Sequence, residues 1–471
     1  MQFKISQTDL NIIESIKRKI DSNTFKLSDE FYQGINLEID LPDLDAEMFG
    51  CWNSNCENKL QKSQEDSLHQ RFLVDLLNKY NEKNTTSKNQ VRFLFGDNMY
   101  FDKNIKKILK KPENKDLKKI ISHADLNTPI PLVNNIDLRD YSAKQIERGF
   151  DGCLGSNKLS FITLGNHDVE PLFTMYQQIN KCYNGIEIQK NGDLNTIQFH
   201  TNWVLPNAFY SVKINLPNMS LLFIIIDTNL IDYQYHHLIL SIDSQTRYID
   251  NMLKFIERTL VTNKDSLKFI MGHIPIFYIG HKTKEPIFQT RHVLHHGKEH
   301  EHTIPKNSDG FIKLYKMMID NNVKFYMCAD EHNLQYIEDK QHKINLLICG
   351  ASPGGSGADE TSTFKSNKDE ILFSGDIKIP NDILHHLDKK IIINAPSFMK
   401  LVTHYNMVQV NMIGPEKLTH HSAAICSKPN GCIYTDLTNA NPSLYYSLTI
   451  PKHTEYVSVY NCEEFKKENC K

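Results

Sequence analysis

The chain has 471 residues, 40% of them hydrophobic, which is enough for a large core in one big domain with insertions or one domain plus a tail. A formal net charge of −2 argues against a basic nucleic-acid-binding surface, and lysine-dense pieces such as 103–119 read as solvated helical faces. The longest apolar run, Leu221 to Ile226, is far too short to span a bilayer.

The first six residues, Met1 to Ser6, hold no apolar core of signal-peptide type, so an intracellular, cytoplasmic protein is expected. The ten cysteines show no metal-ribbon spacing and are expected to be mostly free thiols. Cys426/Cys432 and Cys462/Cys470 are close enough to pair under oxidising conditions.

Leu10, Ile12, Ile13, Ile16 and Ile20 recur near helical spacing, which predicts an amphipathic helix over 8–20 within an N-terminal helical extension, 1–43. Ala46 to Phe49 reads as a short strand leading to Cys51. Ser63-Gln64-Glu65-Asp66 offers a hydroxyl cap and early acids to a helix whose apolar face runs from Leu68 to Tyr80. That helix returns the chain to the strand Val91–Phe95, completing a strand–helix–strand unit. A long connection, 101–160, carries a helix near Ala143 to Phe150. The strand Phe161–Leu164 follows, then a helix from Pro171 to Lys181 and strands of a second sheet within Ile197–Leu222. Phe223–Ile226 is a strand, Tyr248 to Leu260 a helix, Leu267–Met271 a strand, Phe311 to Met318 a helix and Val323–Met327 a strand. Gln335–Glu338 and Ile344–Ile348 close as a hairpin. Insertions are placed at 281–306, rich in histidine, and at 352–396, which opens on a glycine-rich run. The first is read as a solvated loop, with a separate metal-binding loop as the alternative. Residues 416–471 form a C-terminal extension without an assigned role.

One pattern repeats along this order: an apolar strand stops, and a polar cluster begins. Thr163-Leu164 gives way to Gly165-Asn166-His167-Asp168, Phe95 to Gly96-Asp97-Asn98-Met99-Tyr100, and Met271 to Gly272-His273-Ile274-Pro275. Met327 likewise gives way to Cys328 through Gln335, which includes Asp330 and His332. Polar residues at the carboxyl ends of strands are where open α/β sheets build sites. Carboxylate, amide, imidazole and phenol donors suit iron, zinc or manganese.

In this order the stretches resemble the calcineurin-like metallophosphatases, most closely the small purple acid phosphatases of the tartrate-resistant type. The stretches Gly50-Cys51-Trp52-Asn53 and Ile226-Asp227-Thr228 fall where that family has two further motifs, so the likeness runs from about Met48 to about Met412. The resemblance implies a four-layer α-β-β-α sandwich with two central mixed sheets, occupying 44–415 with the insertions near 101–160, 281–306 and 352–396. It also implies two metal ions, iron plus zinc, manganese or iron. Asp97 would bridge them. Tyr100 and His332 would hold the first, with Asn166 and His273 on the second. His167 would protonate the leaving group, oriented by Asp168, and His281 lies one position away from a substrate-contacting histidine. Asp227 is expected to support its strand end. Taken without the resemblance, Asp97 is an Asx-turn residue after a glycine and Tyr100 a core tyrosine.

Two positions depart from the family. Cys51 stands where the first metal has an aspartate, and Asp330 where the second has a histidine. Both can bind metal, but Cys51 can equally be a small buried thiol and Asp330 a surface acid. The resemblance therefore implies a phosphoric monoester hydrolase acting on a phosphorylated small molecule or phosphoprotein. The alternative is a catalytically degenerate fold that binds a phosphoryl ligand or a protein. Neither nucleic acid nor a membrane is an expected partner.

Overall fold

The computed structural model describes residues 1–24, 33–53, 64–84, 87, 89–100, 105, 108, 111–114, 116–117, 121, 129–133, 135–169, 172–191, 194–229, 231, 242–278, 291–295, 298–302, 308–331, 333–350, 372–373, 386–393, 397–404, 407–415, 442–451 and 458–461. Among the described residues two mixed sheets, one of eleven strands and one of eight, make the centre. The parallel run of the smaller sheet is Asp45–Phe49, Gln90–Phe95, Leu159–Thr163 and Trp203–Val204. In the larger sheet it is Ser220–Ile225, Leu267–Met271, Phe325–Cys328 and Ile344–Cys349. Every stretch singled out for its polar residues follows the carboxyl end of one of these strands.

A row of phenylalanines joins the sheets. Phe93 is paired in register with Phe161, and Phe223 with Phe269, which is paired in turn with Phe325. Partners on neighbouring strands share a sheet face, so the rings stack at 4.9, 4.8 and 4.9 Å. Phe93 meets Phe223 across the interface at 4.6 Å, and Phe3 meets Phe161 at 6.1 Å. Each buried ring contributes about 2–3 kcal/mol by leaving water. The Tyr210 hydroxyl adds a polar tie, donating to Ile162 O at 3.0 Å and accepting from Ile162 N at 2.9 Å.

Helices cover the outer faces, giving the α-β-β-α order. Tyr80 of the helix Gln64–Asn84 packs edge-on against Phe398 of the smaller sheet. Phe255 of the helix Ile242–Thr262 lies over Gly34, where a Cβ would meet its ring at 2.2 Å. Tyr315 of the helix Ser308–Asp320 packs on Phe277.

Several segments differ from the sequence reading. Residues 1–43, expected as a helical extension, place Gln2–Ile5 and Ile35–Asp40 as strands inside the larger sheet. The helix Gln7–Asp21 spans between them, capped by the Ser6 hydroxyl on Asp9 N. Pro442–Pro451 and Ser458–Asn461 extend the smaller sheet beyond its Met407–Pro415 strand. The connection helix is Leu138–Glu147, continued by a π-helix over Arg148–Gly155. Within the histidine-rich insertion, Arg291–His295 and Lys298–His302 pair as a hairpin. Among the described cysteines, Cys51, Cys182, Cys328 and Cys349 are free buried thiols, in line with the expectation of mostly free thiols, whereas Cys153 is disulfide-bonded. The suggested pairs Cys426/Cys432 and Cys462/Cys470 lie outside the described residues. Among the described residues no helix is long and apolar enough to cross a membrane.

The outer face of the smaller sheet carries a buried charge network. Register places Glu47 between Arg92 and Lys400 on adjacent strands. Its carboxylate accepts from Arg92 Nε at 2.8 Å, from Asn81 Nδ2 at 2.6 Å, and from Lys158. Burial opposes the charged form, but Arg92, Lys158 and Lys400 outweigh it and bring the Glu47 pKa down to about 2. A depressed carboxylate stabilises the fold above its unfolded pKa, here near 4.5, and that contribution is lost as pH falls toward about 2. Glu47→Gln is therefore expected to lower unfolding stability by about 3–5 kcal/mol at neutral pH, because two cations stay buried without their partner. The deficit should shrink as pH falls from 4.5 toward 2, checked by denaturant melts across that range. A variant within about 0.5 kcal/mol of the parent at pH 7 would show that the network does not hold this face.

Candidate metal centre

The strand-end loops meet backbone to backbone, which is why glycines begin them. A Cβ on Gly165 would sit 2.1 Å from Asp97 N, and one on Gly96 would sit 2.7 Å from His273 Nδ1. Gly96 also has φ +86°, the left-handed region open to glycine. Cys51, Asp97 and Asp330 share that region at φ 52°, 54° and 64°, although none is glycine. Backbone strain of this kind costs about 1–3 kcal/mol per residue and persists where surrounding bonds over-determine it. Here Gly50 N donates to Cys349 O at 2.8 Å and Cys51 N to Gly96 O at 3.0 Å. Ala329 N donates to His273 O at 2.9 Å.

Asp97 is the centre of the cluster and is 2% exposed. Its Oδ2 accepts from the Tyr100 hydroxyl at 2.7 Å and lies 3.7 Å from Cys51 Sγ. Its Oδ1 accepts from His167 N at 3.1 Å and lies 3.3 Å from His273 Nε2. The same Nε2 is 3.1 Å from Asn166 Oδ1 and 3.5 Å from Asp330 Oδ1. His273 Nδ1 is fixed on Phe95 O at 2.6 Å, which aims Nε2 at those oxygens. Seven of the sequence-selected residues are thus together: Cys51, Asp97, Tyr100, Asn166, His167, His273 and Asp330. His332 and His281 lie outside the described residues.

Burial sets the electrostatics. It works against the Asp97 carboxylate, yet the charges of His273 and His167 outweigh it and hold its pKa below the usual value. Burial also disfavours charge on His273, but Asp97 and Asp330 raise its pKa to about 9. Cys51 and Tyr100 are pushed well up, by burial first and then by neighbouring negative charge. Asp97 and Asp330 crowd one buried space beside a thiol and an amide oxygen. That donor set fits a cation, which deprotonates a coordinating thiol and removes the need for an imidazolium. Cys51, Asp97 and His273 offer one ligand atom each within 4.8 Å of one another. Neither departure from the family pattern lies outside the cluster: Cys51 is fully buried and Asp330 is 7% exposed at its side chain.

Asp168 ties the loops together. It is fully buried, and its oxygens accept from Gly165 N at 2.7 Å, Asn98 N at 2.9 Å, Asn98 Nδ2 at 2.9 Å and Gln178 Nε2 at 2.9 Å. Those bonds clamp the Asp97 loop to the Asn166–His167 loop. Burial, then the Asp97 charge, lifts its pKa to about 7 despite these donors. Asp227 supports its strand end, accepting from Asn229 N at 3.0 Å and Nδ2 at 2.8 Å, while Asn229 Nδ2 reaches Leu164 O in the other sheet.

Residues that the sequence reading gave no role complete the frame. Trp52 Nε1 donates to Asn98 Oδ1 at 3.0 Å, and Asn53 Nδ2 to Asn98 O at 2.6 Å. Thr228 Oγ1 accepts from His273 N at 2.9 Å and Ile274 N at 2.8 Å. Asn98, Trp52 and Thr228 each sit inside a recognised stretch, and that position is the signal that could have found them. Gln178 lies mid-helix and carries no such signal.

No family model matches the sequence. Tartrate-resistant acid phosphatase type 5 from Oryctolagus cuniculus is 23% identical over 154 residues, which span 32% of this chain and 40% of that protein. Among solved structures, GAP50, titled the anchor in the inner membrane complex of Plasmodium, overlaps with TM-score 0.45 and 14% identity over 84% of this chain and 88% of that one. PhoD overlaps at 0.42 and 10% identity, over 91% of this chain and 74% of that chain. Purple acid phosphatase PPD1 from yellow lupin (Lupinus luteus) seeds overlaps at 0.39 and 12% identity, over 79% and 51%. The motif order, its closure on one buried donor cluster and the alignment with an acid phosphatase agree, and the chain is related to the calcineurin-like metallophosphatases.

Proposed function

We propose that this protein is a metal-dependent phosphoric monoester hydrolase acting at the strand-end cluster on a phosphorylated small molecule or phosphoprotein. The observation that carries the reading is the placement of Asp97. Its two oxygens face different donor groups, Cys51 with Tyr100 on one side and His273 on the other. Asn166 and Asp330 stand beside His273. A cation there supplies positive charge to phosphoryl oxygens and acidifies water, whether as one ion or as the pair the family implies.

The chain's own residues supply the rest. Gly96 and Gly165 let the loops close without side chains between them, so the donors stay fixed. His167 follows Asn166 directly, holds Asp97 Oδ1 through its backbone N–H, and sets its ring 4.6 Å from the Tyr100 ring. It is only half-buried, which leaves it accessible to a leaving-group oxygen beside the donors. A positioned acid of this kind contributes roughly 10²–10⁴-fold.

Cys51 and Asp330 support a second reading. A thiolate and an added carboxylate both donate more negative charge than the family's pair, which lessens the pull on bound water. In the extreme, the fold binds a phosphoryl ligand or a protein without turnover.

Two experiments separate these. His167→Ala should lower phosphoester turnover by roughly 10²–10⁴-fold with metal content intact, and by less for an aryl phosphate, whose leaving group hardly needs a proton. Equal losses for aryl and alkyl esters, or loss of metal, would remove His167 from that role. Restoring the family pair, Cys51→Asp with Asp330→His, should raise turnover and move the activity profile to lower pH. Each single change should help less, because both donors act through Asp97 and neighbouring changes do not add. No metal and no turnover in either the parent or the double variant would favour the degenerate binder.

A further inference from the structure

Cys153, in the π-helix Arg148–Gly155, is disulfide-bonded, while Cys51, Cys182, Cys328 and Cys349 are free. Its partner is therefore one of the five other cysteines, Cys56, Cys426, Cys432, Cys462 and Cys470. Contacts around the helix single out one of them. Asn53 lies against it: Asn53 Nδ2 donates to Gln145 O at 3.2 Å, and a Cβ on Gly149 would sit 2.1 Å from Asn53 Oδ1. A π-helix turns once in about 4–5 residues, so Cys153 comes back to the side on which Gly149 meets Asn53. Cys56 is three positions past Asn53, within about 10–11 Å of extended chain. Cysteine partners need Cα atoms less than about 7 Å apart. The C-terminal cysteines start from the other edge of the smaller sheet. The strand Ser458–Asn461, which Cys462 follows directly, is six places from Leu159–Thr163 in the strand order, about 29 Å at about 4.8 Å per place. Cys426, Cys432 and Cys470 each lie nine or more residues from the nearest described strand, and those strands are four or more places away.

We infer that Cys153 is bonded to Cys56, and that this bond fastens the far end of the loop that carries Cys51. The inference needs neither a bound metal nor phosphoester turnover. The near end of that loop is held by its strand, Asp45–Phe49, and by Gly50 N on Cys349 O. Beyond it, Cys51 keeps φ 52°, a region that cysteine seldom enters, and Asn53 bridges Asn98 O to Gln145 O. A covalent tie at Cys56 keeps Asn53 on the helix, and so keeps Trp52 and Cys51 in place. A disulfide persists in oxidising surroundings and is exchanged away by dithiol reductants of the thioredoxin class. That step delivers two electrons and two protons to the sulfurs of Cys56 and Cys153. The S–S bond breaks, two thiols remain, and the dithiol becomes a disulfide in its turn. Past Trp52 the loop is then held by the Asn53 hydrogen bonds alone. The donor set around Asp97 is thereby coupled to the redox state of its surroundings.

The first measurement is peptide mapping of the full chain, equilibrated in an oxidising glutathione buffer and digested without reduction. The peptides carrying Cys56 and Cys153 should appear as one linked species that separates on reduction. Cys153 linked to Cys426, Cys432, Cys462 or Cys470, or recovered as a free thiol, would overturn the inference. The second measurement is the rate at which iodoacetamide labels the buried Cys51 thiol in the presence of a chelator. Reduction of the parent, Cys56→Ser and Cys153→Ser should each raise that rate by at least about tenfold, as a local opening becomes easier. The double variant should add nothing beyond either single change, because all three remove the same bond. Cys182, Cys328 and Cys349 are also buried, and their labelling should stay at the level of the oxidised parent. Cys51 equally protected in the reduced and oxidised protein would overturn the fastening. Labelling of all four thiols together would also overturn it, because the bond would then support the whole fold and not this loop.

Discussion

The geometry of the whole centre depends on one buried carboxylate. Asp168 accepts from four donor groups, the backbone and side-chain nitrogens of Asn98 in one loop, Gly165 N in its own loop and the helix residue Gln178. Asn98 passes the constraint onward, accepting from Trp52 and Asn53 and donating to Thr163 O. Three strand ends of one sheet are thereby tied at a single point. The opposite sheet is tied to them by Asn229, which reaches Leu164 O, and by His273, which reaches Phe95 O. These ties hold φ values above +50° at Cys51, Asp97 and Asp330; aspartate enters that region more readily than cysteine, so Cys51 depends on them most.

Two buried clusters of charge sit in this fold, and they differ in completeness. Around Glu47, cations and an amide fill the carboxylate's hydrogen-bonding capacity, and its pKa falls. Around Asp97, two carboxylates, a thiol and a phenol share two histidines, and the thiol and phenol are driven far up. A structural network satisfies itself. A ligand site leaves donors converging on a common volume, and burying them in that state is costly unless a cation joins them. That contrast is the physical ground for reading one cluster as scaffold and the other as a centre.

Sequence alone carried much of this. Alternation and apolar runs marked the strands Gln90–Phe95, Leu159–Thr163, Leu267–Met271 and Phe325–Cys328 to within two residues, because each is buried on both faces. The polar residues after them were legible because a strand end is the place where a chain can offer side chains without losing ladder bonds. The strand Gln2–Ile5 was not legible: four residues pair with the strand Leu194–Phe199, far off in the sequence, and no local period announces that. The roles of Asp168 and Gln178 were hidden for the same reason.

What the sequence determined by itself was the order of strands, the turn after each, and the kinds of donor placed there. Those are local properties of period, glycine and residue chemistry. What only the tertiary structure decided was which donors face one another. Cys51 and Asp97 are 46 residues apart, and His273 and Phe95 are 178 apart. Their meeting follows from two parallel runs stacked face to face across the Phe93–Phe223 contact, with their carboxyl ends on one edge. Distances of 3.3 and 3.7 Å between donors are set by that packing, and by close backbone approach at Gly96 and Gly165. No spacing along the chain encodes them.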